Sequence, residues 1–249
     1  MSILKLYQGF HNEESYKEAA LTSSSSVIKI SLNPHPSFTG NFSIAKDIKY
    51  TTNQIAEFRA LQYAYNHIEQ EQYIGYTVYQ HNKKFSIPYF ENYHYIWNQN
   101  YKGTIRIEKI TPGVVIEKFK QCHIIALYPY CKNFITQTEK AHPDMIEFLF
   151  NWLNKKNYKF NEQKIREIAQ SQTAIFALAF ILPVKEFKEL HDFIMIFIDD
   201  LKDPNKYNLN IKIHDPIRAW AYFIERLICI WPILKWGEDL KIGLLEKEK

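Results

Sequence analysis

Segments with strand-type and helix-type hydrophobic patterns alternate along the chain, and this alternation constrains the fold more than any other feature of the sequence. Strands are predicted at 3–10, 27–32, 73–80, 104–110 and 123–129. Helices are predicted over "EESYKEAAL", 54–69, from 142–144 onward, 161–170, 184–201 and from 215–216 onward, while "AIFALAFIL" fits either a buried strand or a helix start. Such alternation predicts an α/β fold with a single mixed sheet flanked by helices. In these sheets, ligands bind beyond the carboxyl ends of the strands.

The size and charge of the chain limit its organisation but not its ligand. With 249 residues, 46% hydrophobic residues and only 7 glycines, the sequence predicts one domain over 1–249, with a weak subdivision near 111–121, around "TPG". The formal net charge of +4 suits an anionic small ligand, an acidic membrane surface or nucleic acid equally well. Charge alone therefore selects no partner.

Cysteine usage and hydropathy indicate a cytoplasmic protein. Cys122, Cys131 and Cys229 are odd in number and lack metal-ligand spacing, and the N-terminus has no leader-like pattern. The longest nearly uninterrupted apolar run, 174–184, is shorter than the roughly 20 residues that span a bilayer. The segment "ICIWPILKW" fits core packing or a peripheral contact with the inner face of the cytoplasmic membrane.

Several familiar motifs are absent from the sequence. It contains no P-loop, GxGxxG loop, GxSxG elbow, HExxH helix or RNA-binding signature. It also lacks Asp-x-Asp, the spacing with which many sugar-nucleotide enzymes hold a divalent cation. We expect the adjacent Asp199 and Asp200 to be solvated surface charges, so no metal ligand is assigned. A need for Mn²⁺ or Mg²⁺ stays open.

The segment 89–101, "YFENYHYIWNQNY", mixes aromatic rings with amides. Aromatic rings pack on the C–H faces of sugars and amides bind their hydroxyls, so the segment fits a carbohydrate-binding loop. The rings could equally stack nucleic-acid bases or cover a core edge, although the segment lacks the cations that a phosphate backbone needs.

The stretch "HDPIRAWAYFIERLICIW", residues 214–231, predicts a helix that is apolar around most of its circumference and therefore buried. Arg218, Tyr222 and Glu225 share one face, with Arg226 about 80° to the side of Arg218. A buried charge needs a partner, because an unpaired ion costs several kcal/mol. Two interpretations follow: a structural ion-pair cluster, or a pocket wall that presents guanidinium and carboxylate groups to a ligand.

"RAWAYFIERL" resembles the C-terminal signature of a bacterial family of capsular-polysaccharide and lipopolysaccharide glycosyltransferases. "AEFRALQYAYNHI" is similar to a helix of that family and "QYIGYTVYQHNKKF" to the segment that follows it. "FILPVKEFKELHDFIMIFIDDL" is similar to a later strand and helix. The matching positions include Glu57, Tyr73, Ile74, Gly75, Tyr79, Phe187, Arg218, Glu225, Arg226 and Leu227. Where the family has His-Tyr-Arg-Arg, this chain has Val78, Tyr79, Gln80 and His81, so both arginines are missing.

The resemblance implies a GT-A nucleotide-sugar transferase fold. It also implies transfer of a sugar, UDP-linked galactofuranose or another hexose, from a nucleotide donor to a cell-surface or lipid-linked glycan. Without Asp-x-Asp, we expect cationic or hydrogen-bonding groups to assist the leaving diphosphate. Glu225 is the predicted general base and Asp215 the second candidate. The predicted substrate-binding residues are Glu57, Tyr79, Gln80, His81, Arg218, Tyr222 and Arg226.

Two other classes of function remain open at this point. The missing arginines fit a carbohydrate- or nucleotide-binding accessory protein that kept the fold and lost turnover. The basic pI and the aromatic residues fit nucleic-acid binding, whose affinity would fall steeply with salt.

Overall fold

The computed structural model describes residues 3–21, 24–33, 35–49, 57–78, 105–127, 129–171, 173–175, 178–201 and 219–245. Strands within these ranges are β1 Leu4–Phe10, β2 Val27–Ser31, β3 Ser43–Ile44, β4 Tyr73–Val78, β5 Ile124–Ala126, β6 Pro129–Lys132, β7 Thr173–Ile175, β8 Phe180–Pro183 and β9 Ile242–Leu244. Helices are α1 Glu13–Ala20, α2 Phe58–Asn66, α3 Pro112–Phe119, α4 Phe134–Ala141, α5 Met145–Lys155, α6 Glu162–Ser171, α7 Val184–Leu201 and α8 Ala219–Trp236.

Seven of these strands form one mixed sheet in the order β3-β2-β1-β4-β8-β5-β9. All of them run in the same direction except β8, which pairs antiparallel with both β4 and β5. The strands β6 and β7 form a separate two-stranded sheet. The prediction of a single mixed α/β sheet flanked by helices is confirmed, and the carboxyl ends of β1, β2 and β4 meet at one edge.

Helices cover both faces of the sheet. On one face, Phe10 contacts Tyr16 of α1, and Tyr73 stacks on Phe119 of α3 with ring centroids 4.8 Å apart. On the other face, Tyr7 contacts Tyr63 of α2. Helix α7 packs on α2, and α8 packs on α7. Because both faces are covered, the central strands are apolar almost throughout, which explains why they read as continuous hydrophobic runs.

Local sequence signals fix the beginnings of several helices. Helix α1 begins with a capping box in which the Asn12 side chain accepts from the Ser15 N–H at 2.8 Å. Helix α3 begins with Thr111 as N-cap and Pro112 in the first turn. The Thr-Pro of "TPG" is thus a helix start, and the weak subdivision near 111–121 stays a prediction.

The strand predicted at 104–110 is wrong. Within this segment, Ile107–Lys109 form a 3-10 turn whose central backbone bond runs from Ile110 N–H to the Ile107 carbonyl at 3.1 Å. Ile107 and Ile110 are buried, and their three-residue spacing suits a helical turn better than the two-residue period of a strand. The alternating pattern "IRIEKI" predicted a strand, but Ile107 and Ile110 are apolar because a helical turn buries them.

The segment "AIFALAFIL" contains parts of two strands and no helix in its described residues. Strand β7 ends at Ile175 and β8 begins at Phe180. Between them, Leu178 has a φ of 57°, a left-handed conformation that a helix cannot continue through. Sequence reasoning also missed α3, α4 and β9, which are short elements of eight, eight and three residues.

The apolar C-terminal helix lies in the core. Trp231, Ile233 and Ile230 are buried, and Trp236 stacks on His123 with ring centroids 4.9 Å apart. These contacts are those of core packing. In the ranges that the structure describes, no helix combines the length and hydropathy needed to cross a membrane.

Candidate functional site

The edge where β1, β2 and β4 end is held together by polar groups. The Gln8 side-chain amide donates to the Val78 carbonyl at 3.2 Å, which ties the last residue of β4 to β1. The Leu32 N–H donates to the Phe10 carbonyl at 2.8 Å, which continues the pairing of β1 and β2 beyond the strands. The backbone at this edge is therefore fixed, and it provides a rigid base for a ligand site.

Arg59, in the first turn of α2, lies beneath this edge and is 5% exposed. Its Nη1 donates to the Leu32 carbonyl at 2.9 Å and to Asn33 Oδ1 at 3.0 Å. Asn33 Nδ2 in turn donates to the His11 carbonyl at 3.4 Å. Burial lowers the pKa of the Arg59 guanidinium, while the nearby Glu57 carboxylate and Tyr76 hydroxyl partly offset that effect. An arginine stays charged despite such a shift.

Sequence reasoning missed Arg59, Asn33 and His11. Arg59 stands one residue from Phe58 in the helix "FRALQYAY", flanked by apolar positions. A charged residue so close to the apolar stripe of a helix was the available signal, since such a residue is buried only where it has specific acceptors. His11 and Asn33 could have been found as the residues that follow strands β1 and β2.

Glu57 lies at the N-cap position of α2, at the same edge of the sheet. Its side chain is half-buried and makes no capping hydrogen bond to the helix. It is close enough to Arg59 to influence its pKa. The predicted role of Glu57 in substrate binding stays a prediction.

Glu225 and Arg226 lie in the N-terminal half of α8, against α4. Arg226 is 3% exposed, and its Nη1 pairs with Glu225 Oε2 at 2.6 Å. Its Nε donates to Thr138 Oγ1 at 2.8 Å and its Nη2 to Gln137 Oε1 at 3.1 Å. This guanidinium therefore joins α8 to α4, as expected of the ion-pair alternative.

Tyr222 precedes this pair by one turn and is half-buried. Its ring lies 4.8 Å from the His142 ring, centroid to centroid, at the end of α4. Tyr222 thus contacts the C-terminal end of α4, while Glu225 is linked to α4 through its pair with Arg226. The sequence had placed Tyr222 and Glu225 on one helical face, and both now lie beside α4.

Five predicted site residues lie outside the described residues: Asp215, Arg218, Tyr79, Gln80 and His81. The aromatic segment 89–101 also lies outside them. The predicted pocket that joins Arg218, Glu225 and Arg226 with Tyr79 and His81 stays a prediction. Among its members, the structure shows only the contacts of Glu225 and Arg226.

Asp199 and Asp200 differ from each other, and our expectation for Asp200 was wrong. Asp199 is exposed and pairs with Lys49 at 2.7 Å. Asp200 is 7% exposed and accepts from the Trp152 indole at 2.8 Å and from Lys156 at 2.7 Å. The helix α7 turns one carboxylate to solvent and the next into the core. In the part of the chain that the structure describes, no three His, Cys, Asp or Glu residues are grouped as metal ligands would be.

A separate groove of about 1440 Å³ lies beside β9 at the far edge of the sheet from β3. Its wall includes Arg106, Lys109, Lys118 and Leu244. None of the predicted site residues that the structure describes lines it, so the groove is treated apart from the site described above.

A comparison with solved structures finds the same fold in the apo structure of WbbM, a bifunctional glycosyltransferase. The TM-score is 0.67 over 99% of this chain, at 15% sequence identity. The fold is thus shared with a glycosyltransferase. This chain spans 45% of the WbbM chain, less than half of that protein. The likeness establishes a common GT-A-like α/β fold, in agreement with the fold prediction.

The chain matches no protein-family model and no curated protein sequence. The resemblance based on "QYIGYTVYQHNKKF" and "RAWAYFIERL" therefore stays a prediction. The structure adds one physical reason for part of that pattern. A Cβ on Gly75 would lie 2.7 Å from the Phe180 carbonyl and 2.6 Å from Leu6, so the strand has no room for a side chain there.

Proposed function

We propose that this chain is a glycosyltransferase that moves a sugar from a nucleotide-sugar donor to a glycan acceptor. The observation that carries this proposal is the seven-stranded mixed sheet, shared over almost the whole chain with a known glycosyltransferase. Fold alone does not determine activity, because one fold hosts many functions. The polar groups at the ends of β1, β2 and β4 support the proposal, since that edge is where such sheets bind ligands.

The finer parts of the proposal concern donor, acceptor and location. The donor is a nucleotide-linked hexose or galactofuranose, and the acceptor is a cell-surface glycan of the capsular or lipopolysaccharide kind. Such an acceptor is built on a lipid, so the enzyme would work in the cytoplasm beside the inner membrane. Single-domain organisation over 1–249 is part of the same proposal.

The proposed chemistry assigns two tasks to side chains of this protein. Transfer requires stabilisation of the leaving diphosphate and, with inversion of configuration, a base for the acceptor hydroxyl. We assign the base to Glu225, with Asp215 as the second candidate. Arg218, His81 and Tyr79 are the proposed diphosphate-binding groups, and Gln80 is a further proposed substrate-binding residue. Arg226 is a fourth candidate for the diphosphate, and its buried hydrogen bonds to α4 favour a supporting role.

A thermal-shift screen against nucleotide sugars tests the proposal. A donor that binds the native state stabilises it by mass action, and at a donor concentration of 100 Kd the free energy of unfolding increases by about 2.7 kcal/mol. The melting temperature rises accordingly. We expect one nucleotide class to raise it by several degrees and the others to have little effect. If the melting temperature stays unchanged with every uridine-, guanosine-, cytidine- and thymidine-linked sugar, the proposal of a nucleotide-sugar site is contradicted.

The second candidate is an accessory protein that binds a nucleotide or glycan without turnover. The absence of the two arginines after β4 favours it. It predicts a thermal shift with a nucleotide sugar but no release of nucleoside diphosphate, with or without added Mn²⁺ or Mg²⁺. Loss of activity in EDTA and its return with either cation would show that the transfer depends on metal.

A further inference from the structure

Asn33 connects the ends of two neighbouring strands, and Arg59 fixes its orientation. A guanidinium has only N–H donors, so the oxygen of the Asn33 amide must face it. The amide nitrogen then faces the other way, toward the His11 carbonyl. The orientation of this amide is therefore decided by Arg59 and not by the local turn alone.

Arg59 also holds the backbone of the same segment. The nitrogen that binds Asn33 Oδ1 donates to the Leu32 carbonyl, so one guanidinium nitrogen fixes a carbonyl and an amide in consecutive residues. A buried guanidinium is costly unless its donors are satisfied by well-placed acceptors. The segment after β2 therefore has a defined conformation relative to α2, and Asn33 has a defined position at the edge.

We propose that Arg59 is a positioning residue for the donor nucleotide and that it acts through Asn33. Arg59 holds the Asn33 amide so that its N–H groups lie at the carboxyl ends of β1 and β2, the edge at which sheets of this kind bind ligands. Asn33 contacts the nucleoside, and Arg59 itself does not. This inference rests on the proposed function and assigns to that site two residues that the sequence pattern did not include.

The competing explanation is that Arg59 and Asn33 only stabilise the fold. Asn33→Asp is nearly isosteric and still accepts from Arg59, but its carboxylate can donate neither to the His11 carbonyl nor to a nucleoside. A purely structural role therefore predicts a lower melting temperature with little loss of nucleotide affinity. A direct contact between the Asn33 amide and the nucleoside predicts a large loss of affinity. Arg59→Lys keeps the positive charge and loses the planar geometry that holds two acceptors.

The experiment is calorimetric titration of uridine diphosphate and guanosine diphosphate into the wild-type chain, Asn33→Asp, Arg59→Lys and the double variant. The control is Arg166→Lys in α6, away from this edge. Like Arg59, Arg166 bridges two acceptors, which here are the carboxylates of Glu139 and Glu162. Melting temperatures are measured for every variant, so that a loss of affinity is compared with a loss of stability.

We expect Asn33→Asp and Arg59→Lys each to weaken binding of the preferred diphosphate by about tenfold or more, which corresponds to about 1.4 kcal/mol. The double variant should lose no more nucleotide affinity than the weaker-binding single variant. When one residue acts through another, the effects of the two substitutions do not add. Arg166→Lys should bind as the wild type does.

Two results would overturn the inference, and they differ in what else they overturn. If the wild type binds a diphosphate and both Asn33→Asp and Arg59→Lys bind it within threefold of wild type, the roles of Arg59 and Asn33 are wrong while the proposed function stands. If the wild type binds neither diphosphate nor any nucleotide sugar, the proposed function fails and this inference fails with it.

Discussion

Glu225 is both half of an ion pair and our candidate general base, and the two roles make different demands on its carboxylate. The pair with Arg226 uses Oε2 of the Glu225 carboxylate. Arg226 is in turn fixed by Thr138 and Gln137 of α4. The carboxylate would thus be held in place by a buried cation instead of being left to rotate.

Glu225→Gln tests this assignment. The variant keeps the shape of the side chain and removes its ability to take a proton, so we expect kcat to fall by about a hundredfold or more with the donor KM little changed. Glu186→Gln is the matched control, because Glu186 is also a half-buried helical glutamate paired with a cation, Lys235 at 3.5 Å. Near-normal transfer by a folded Glu225→Gln enzyme would move the role of base to Asp215.

His191 predicts a pH dependence of stability. Its ring stacks between Tyr65 and Phe58, and burial lowers the pKa of the imidazole, an effect that Asp192 partly offsets. The unfolded chain then binds a proton at a pH where the folded chain does not. Stability should therefore fall as the pH drops below about 6.5, by at most about 1.4 kcal/mol per pH unit for one proton.

His191→Phe keeps the ring stacking and removes the titrating group. Urea unfolding at several values between pH 7 and pH 5 should show a shallower loss of stability for this variant than for the wild type. Equal slopes in the two proteins would mean that His191 does not contribute to the acid sensitivity.

At the level of secondary-structure elements, the sheet depends on close contact between strands. Gly75→Ala would place a methyl group 2.7 Å from the backbone oxygen of Phe180, which cannot move without disturbing β8. We expect this change to lower the free energy of unfolding by about 1–3 kcal/mol. Gly113→Ala in α3 is the control, because nothing lies within 4 Å of the added Cβ. Equal stabilities for the two variants would contradict the packing at β4.

Substitutions of Asp199 and Asp200 test the packing of α7 against α5. Asp200→Ala removes the acceptor of the buried Trp152 indole and of Lys156, so we expect a loss of about 3–5 kcal/mol. Asp199→Ala removes only an exposed pair with Lys49 and should cost less than about 1 kcal/mol. Chemical denaturation of the two variants measures the difference, and losses of similar size would contradict the burial of Asp200.

Long helices and strands with a regular hydrophobic pattern could be predicted from the sequence. Short elements and buried polar residues could not. Helix α7 was predicted at its observed bounds because Phe187, Leu190, Ile194 and Phe197 mark one face over about three turns. The three residues of β9 carry no comparable pattern, and pairing with β5 is what makes them a strand. Arg59 was missed for a related reason: its acceptors, Leu32 and Asn33, are far away in sequence and adjacent only after folding.

At the scale of the whole molecule, the sheet combines strands from both ends of the chain. Strand β1 lies in its interior between β2 and β4, and β9, near the C-terminus, forms one edge. A fold of this kind is shared with a glycosyltransferase at 15% identity, so two sequences with few identical residues form the same architecture. The edge that β1, β2 and β4 share is the part of this architecture on which the proposed activity depends.

The most direct test of that activity is release of nucleoside diphosphate from a nucleotide sugar. The chain is incubated with each nucleotide sugar that raises its melting temperature, with glycan acceptors, and with Mn²⁺, Mg²⁺ or EDTA. Wild-type protein should release nucleoside diphosphate from one donor in at least one metal condition, and Glu225→Gln should not. Binding without release under every condition would contradict the transferase and leave an accessory protein that kept the fold.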